Sequence, residues 1–328
     1  MSTAPAGVEP QTAALLARLV AVGVRPIESL SVQDARDELA ALARLRPGPQ
    51  GVCSTREFEV PVAAGVTIRT RLYQPEGVRG PAPAIVYFHG GGHVIGSIDT
   101  HDDLARRIAL GAGAALFSVG YRKGPEARFP AAVEDAWQAL RWLTARAHEL
   151  GLDEGRLAVM GDSAGANLAT VCALRARDCG GLPLSLQVLV YPVADYRLRA
   201  QSFVRYASGY GVLSTAAMHW FRAHYLSWPQ DADDWRASPI LAPSMAGVAP
   251  AVVLAAECDP LVDDVRAYVA RLLQGGVSVD YVEYPGTVHG FFANPHVLDA
   301  ARDAHVRVAR SLRLAWRLPS MEAGDGRC

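Results

Sequence analysis

Leu157-Ala158-Val159-Met160-Gly161-Asp162-Ser163-Ala164-Gly165, running into Asn167-Leu168-Ala169-Thr170, decides the reading of this chain. It describes a short apolar strand, a tight turn of small residues around a serine, and the start of a helix. A turn that sharp strains the serine backbone, so small neighbours are required. It also sets the Ser163 hydroxyl at a helix N-terminus, where the dipole favours developing negative charge.

A second stretch lies upstream. Ala84-Ile85-Val86-Tyr87-Phe88 has the pattern of a buried strand and leads directly into His89-Gly90-Gly91-Gly92. Three glycines let the backbone approach a reacting group and aim N–H donors at it. Each such donor to an oxyanion contributes about 10²–10³ in rate. Apart, the motifs are a glycine turn and a flexible loop. Together, in this order, they predict a serine nucleophile beside an oxyanion pocket.

The base is sought among nine histidines. His148, His219, His224, His296 and His305 fall in helical or lid segments without an acidic partner at a strand end, and read as surface or packing residues. His289 follows the last predicted strand, in Pro285-Gly286-Thr287-Val288-His289-Gly290-Phe291. Loops after the C-terminal ends of parallel strands converge on one edge. Asp259 holds the same kind of position after Val252–Ala256. The order Ser163, Asp259, His289 is one of the known orders for a serine triad. Glu257, Asp263 and Asp264 are rivals, the last two at the start of a helix where acids commonly cap.

Composition bounds the rest. The 328 residues are 50% hydrophobic and 20% charged with a net charge of -1. That is an ordinary globular balance, with no basic stripe for nucleic acid or an anionic membrane. Five cysteines (Cys53, Cys172, Cys179, Cys258 and Cys328) form no CxxC pair, so neither a disulfide framework nor a zinc site is expected. Glu9 and Arg18 interrupt any apolar leader, and no segment is long and apolar enough to span a bilayer. The expected home is the cytoplasm.

Helical spacing runs over about Gln11–Ala21 and Val32–Arg46, and a hairpin is predicted from Thr55–Val62 and Val66–Tyr73 around Ala64-Gly65. Strand and helix then alternate: strands at Ala114–Val119, Arg156–Met160 and Leu184–Tyr191, helices at Ala131–Leu150 and Ala164–Arg177. This order predicts an α/β fold with a mostly parallel sheet covered on both faces. From about Tyr196 to Pro239 the rhythm breaks in an aromatic-rich insertion containing Phe203, Tyr206, Tyr210, Trp220, Phe221, Tyr225, Trp228 and Trp235. These rings could wall a substrate site or pack the insertion's own core. The rhythm resumes with a strand at Ala251–Ala256, a helix near Asp263–Gln274, a strand at Ser278–Tyr284 and a helix over about Val297–Trp316. The tail Pro319–Cys328 reads as frayed.

With these motifs the chain resembles the hormone-sensitive-lipase-like branch of the α/β-hydrolases, the bacterial family IV carboxylesterases, from about Phe58 to Leu314. The match rests on His89–Gly92, Tyr121-Arg122, Pro125-Glu126, Phe129-Pro130-Ala131-Ala132, Gly161–Gly165, Tyr191-Pro192, Ser238-Pro239, Asp259-Pro260-Leu261 and His289-Gly290-Phe291. The resemblance implies the α/β-hydrolase fold with a helical cap. Its division would be 1–50 (N-terminal part of the cap), 51–195 (core), 196–240 (cap insertion), 241–318 (core) and 319–328 (flexible tail). It implies a triad of Ser163, Asp259 and His289, and an oxyanion hole from the N–H groups of Gly91, Gly92 and Ala164. His89 and Asp162 would support the site without reacting. Two departures stand out. His93 replaces the family's aromatic, a polar ring where acyl or alcohol groups pack. Gly120-Tyr121-Arg122-Lys123-Gly124-Pro125-Glu126 replaces Asp-Tyr-Arg-Leu-Ala-Pro-Glu, losing a carboxylate and adding a charge.

The implied activity is hydrolysis of short-chain carboxylic esters through an acyl-enzyme, with no metal or organic cofactor and a small-molecule ester as the partner. Acyl transfer, deacetylation or amide hydrolysis on a specialised metabolite would use the same machinery, with His93 and Lys123 as the sequence support. Some relatives, such as plant gibberellin receptors, bind ligands without catalysis and lack the triad histidine; this chain keeps His289. Dimerisation through the last strand and helix is common among relatives, so a homodimer is an expectation from resemblance.

Overall fold

Ala82–Phe88 is buried along its whole length, and the alternation of its side chains splits the core in two. Ala84, Val86 and Phe88 face one apolar cluster; Ile85 and Tyr87 face another. A strand apolar on both sides has to be covered on both sides.

The computed structural model describes residues 7–48, 51, 53–78, 80–180 and 182–319. Helices α1 (Pro10–Ala21) and α2 (Val32–Arg44) precede the hairpin β1 (Cys53–Ala63) and β2 (Val66–Pro75). The alternating part follows: β3 (Ala82–Phe88), α3 (Asp102–Ala112), β4 (Ala115–Val119), α4 (Ala131–Ala145), β5 (Leu152–Asp162), α5 (Ala164–Cys179) and β6 (Leu184–Val190). After the insertion, with α6 (Ser202–Arg205) and α7 (Thr215–Tyr225), come β7 (Ala251–Cys258), α8 (Val262–Gln274), β8 (Val279–Val288) and α9 (Asp299–Ala315).

Among the described residues eight strands form one sheet in the order β1-β2-β4-β3-β5-β6-β7-β8. β1, β2 and β4 pair antiparallel; every pairing from β4 to β8 is parallel. Residues of α4, α5 and α8 complete the first cluster, those of α3 and α9 the second. This is the mostly parallel, doubly covered sheet expected from the sequence.

Helix α3 adds to the predicted elements. Its signals are present: Asp102 and Asp103 in the first turn, and Leu104, Ala105, Ile108 and Ala109 on one buried face. Gly113 closes it in the left-handed conformation, with φ 61°. The glycine-rich stretch before it obscures that pattern. The helix expected to Leu150 stops at Ala145, because the following residues form turns that return Leu152 N–H to the Ala147 carbonyl at the start of β5. Of the tail expected to fray, 320–328 lie outside the described residues. No helix among the described residues is long and apolar enough to cross a membrane.

The insertion's two ends are tied together. Tyr196 N–H donates to Ser238 Oγ (2.9 Å) and Ile240 N–H to the Ala194 carbonyl (3.1 Å). Asn167 of α5 donates to the carbonyls of both Val193 (2.8 Å) and Ala237 (2.7 Å). The helix that starts at the serine therefore also anchors the insertion.

Candidate active site

Ser163 sits between β5 and α5 with φ 55° and ψ -119°. An L-residue holds such a conformation only where its surroundings enforce it. Its N–H donates to the Val190 carbonyl on β6 (2.8 Å). Gly165 makes the turn possible, since a Cβ there would run into the Phe88 carbonyl.

The three side chains singled out in sequence meet at this edge. His289 Nε2 lies 2.9 Å from Ser163 Oγ, and His289 Nδ1 lies 2.6 Å from Asp259 Oδ2. The other Asp259 oxygen accepts the Leu261 N–H (2.9 Å), which fixes the carboxylate behind the ring. Tyr191 packs on the imidazole, ring centroids 4.5 Å apart.

The rival acids are committed elsewhere. Glu257 accepts the Gly286 N–H (2.8 Å), and Asp263 pairs with Arg205 and Arg266. Asp263 and Asp264 lie in the first turn of α8, but neither caps it. Asp264 is instead buried, and burial followed by the nearby charges of Asp195 and Asp263 pushes its carboxyl up to about 8.

The glycine loop is braced from behind. Asp162 Oδ1 accepts the Tyr87 hydroxyl (2.5 Å) and the Gly90 N–H (3.1 Å). His101, which no sequence motif marks, brings Nε2 to 3.7 Å from Asp162 Oδ2 and packs against the His89 ring. Burial pushes the Asp162 carboxyl up, but His101 and the Tyr87 hydroxyl outweigh it and hold it below its usual range. Tyr121 donates to the His89 carbonyl (2.7 Å), Lys123 Nζ to the Gly96 carbonyl (2.5 Å), and Gly124 N–H to the His93 carbonyl (2.9 Å). The charge added at Lys123 is thus a tie to the loop.

His89 lies behind the loop, fully buried, with Nδ1 against the Gly90 carbonyl (2.8 Å). Burial holds it neutral, well below the ordinary histidine value. In front, Gly92 faces Phe221 of α7 so closely that any Cβ would overlap the ring. Among the described residues, the N–H groups of Gly91, Gly92 and Ala164 donate to no backbone acceptor in another loop or turn.

His93 is not where its departure from the family suggested. It is fully buried, stacked on Tyr225 (centroids 4.0 Å apart), with Nδ1 at 2.7 Å from the Tyr196 hydroxyl. Burial pushes its pKa down to about 3, so the ring is neutral.

A cavity of about 720 Å³ opens onto the site, lined by Ser163, His289, Gly91, Gly92, Tyr196 and Phe221 among others. This is the scale of a drug-sized ligand. Of the insertion's rings named above, Phe221 reaches this wall, while Phe203 and Tyr225 are buried in packing. Most of the remaining wall is aliphatic, including Leu15, Leu19, Leu42, Leu213 and Met218. Among the described residues no group of three or more His, Cys, Asp or Glu side chains is placed to hold a metal ion.

The fold and the serine turn define an α/β hydrolase. Residues 85–293 match the family described as the alpha/beta hydrolase fold, and the chain belongs to that family, in the hormone-sensitive-lipase-like branch whose motifs it carries. It is 39% identical over 297 residues to an ethyl acetate hydrolase of Pseudomonas putida, covering 88% of this chain and 92% of that one. To carboxylesterase NlhH of Mycobacterium tuberculosis it is 40% identical over 281 residues, covering 84% and 88%. Among solved structures, a hyperthermophilic esterase from Pyrobaculum calidifontis superposes with a TM-score of 0.87 at 38% identity, covering 94% of this chain and 98% of that one.

Proposed function

We propose that the chain is a serine carboxylesterase in which Ser163, His289 and Asp259 form the triad. The arrangement that carries this reading is the single imidazole bridging the Ser163 hydroxyl and the Asp259 carboxylate. Its relatives' names as carboxylic ester hydrolases support the same class.

His289 takes the Ser163 proton as the oxygen attacks the ester carbonyl, and Asp259 holds the tautomer and stabilises the imidazolium. The N–H groups of Gly91, Gly92 and Ala164 receive the oxyanion. The imidazolium then protonates the departing alcohol. Water, deprotonated by the same ring, cleaves the acyl-enzyme to release the acid. The N-terminal helices and residues 196–240 act as a cap over the cavity. Acyl groups from acetate to hexanoate are the preferred range. The two residues that favoured acyl transfer or amide hydrolysis, His93 and Lys123, do not line the cavity, so ester hydrolysis is the better reading.

Replacing Ser163 by Ala tests the assignment with a chromogenic acetate or butyrate ester. Turnover and fluorophosphonate labelling should both disappear; retained turnover rejects the nucleophile. β8 is an edge strand, with Glu9 N–H already on its Gly286 carbonyl; light scattering on the eluting protein reads separately whether a second copy pairs along the rest.

A further inference from the structure

One part of the cavity wall carries positive charge that the protein leaves unpaired. Arg46, just beyond α2, lines the same cavity as Ser163 and His289. Its guanidinium makes one long bond, Nη1 to the Thr100 carbonyl (3.4 Å), and no ion pair among the described residues. Asp103 and Asp162 are within its electrostatic reach, but Asp103 is gripped by Arg107, whose Nε lies 3.0 Å from both carboxylate oxygens, and Asp162 is held by the Tyr87 hydroxyl and the Gly90 N–H. Arg107 also donates to the Pro47 carbonyl (3.1 Å), so the turn carrying Arg46 is held against α3.

Two more groups join it. Arg18 of α1 lines the cavity and likewise has no ion pair among the described residues. His296 lines it too, with its buried Nδ1 lacking a hydrogen-bond partner. Burial, and then the charges of Arg107, Arg46 and Arg18, hold His296 below its usual pKa although Asp103 opposes them, which places these side chains in one electrostatic neighbourhood. Arg25, also on the cavity wall, is by contrast paired with Glu38 (3.1 Å).

A half-buried guanidinium beside leucines is poorly solvated, and it recovers most from a planar anion that takes two of its N–H groups at once. A neutral alkyl ester offers nothing of that kind. We propose that the preferred ester carries a carboxylate besides its reacting carbonyl, and that Arg46, with Arg18 and His296, binds it. The proposal rests on the serine esterase reading and names the substrate class of that site.

The test compares matched esters on the full chain: 4-nitrophenyl butyrate with 4-nitrophenyl hemisuccinate (anion on the acid side), and phenyl acetate with 4-acetoxybenzoate (anion on the alcohol side). In at least one pair the anionic member should have the higher kcat/KM once corrected for alkaline reactivity. Arg46→Gln should lower that anionic-to-neutral ratio about tenfold or more, chiefly through KM. Ratios that favour the neutral member in both pairs, or that Arg46→Gln leaves unchanged, overturn the proposal. If the serine esterase reading itself fails, either none of the four esters is turned over or Ser163→Ala still turns them over. Calorimetric binding of succinate monomethyl ester and 4-acetoxybenzoate to the Ser163→Ala protein then reads the anion site alone. Salt-sensitive binding lost in S163A/R46Q upholds it, and no binding of either compound overturns it.

Discussion

The Asp162 carboxylate holds the Gly90 N–H at 3.1 Å. One side chain thereby joins the turn that bears the serine to the loop that bears the glycines, two segments more than seventy residues apart in the chain. Because Ser163 follows Asp162 directly, a shift of the carboxylate moves both halves of the site.

Asp162→Asn keeps the shape but weakens the acceptor and the attraction of His101. We expect kcat to fall about tenfold with little change in KM, since positioning for the transition state is what suffers. Asp162→Ala leaves the Tyr87 hydroxyl and Gly90 amide unpaired and should cost about 2–4 kcal/mol of stability. Steady-state kinetics and denaturant unfolding check the two effects separately.

Phe221 joins the insertion to the glycine loop by resting on Gly92. Phe221→Ala removes that support and enlarges the cavity. Loss of about 3–4 kcal/mol is expected from the buried ring, together with lower kcat on acetate and a rate optimum moved to longer acyl chains. A series of 4-nitrophenyl esters from acetate to decanoate reads the shift.

Acid should destabilise the protein through His93. Its folded pKa is about 3, below that of an unfolded histidine. Between roughly pH 6.5 and 3 the unfolded chain therefore takes up a proton that the native chain refuses. Stability falls as pH drops through that window, by up to about 2 kcal/mol at pH 5 from this residue. His93→Phe should flatten the slope of unfolding free energy against pH, while lowering its level because the Tyr196 hydroxyl loses its partner.

Asp264 acts in the opposite direction. Its folded pKa is about 8. It keeps a proton that the unfolded carboxyl loses near roughly pH 4, so its contribution declines as pH rises from about 4 to 8 and then levels. Asp264→Asn should raise stability by about 1–2 kcal/mol at pH 7.5 and by little at pH 5. Thermal melts at the two pH values decide it.

The periodicities that place the sheet, the serine turn and the last histidine are local. Each depends on a few consecutive side chains meeting one environment, which is why Ala82–Phe88 and Leu157–Gly165 are legible. His101 is not, because nothing near it in the chain marks it; its meaning comes from Asp162, which only folding brings close. His93 departs from expectation for the same reason. Its neighbours in the chain are the glycines, but its neighbours in space are Tyr196 and Tyr225. His296 reads as a packing residue, yet it stands on the cavity wall beside two arginines from the N-terminal part of the chain.

By itself the order of residues determined the fold class and the strained serine turn, and it put forward His289 and Asp259 with Glu257, Asp263 and Asp264 as rivals, because backbone strain, alternation and strand-end position are properties of short segments. Tertiary structure decided what the cavity is made of, that Asp264 keeps its proton, and where positive charge goes unanswered. Burial and electrostatics are summed over every element that surrounds a group, and no segment carries that sum alone.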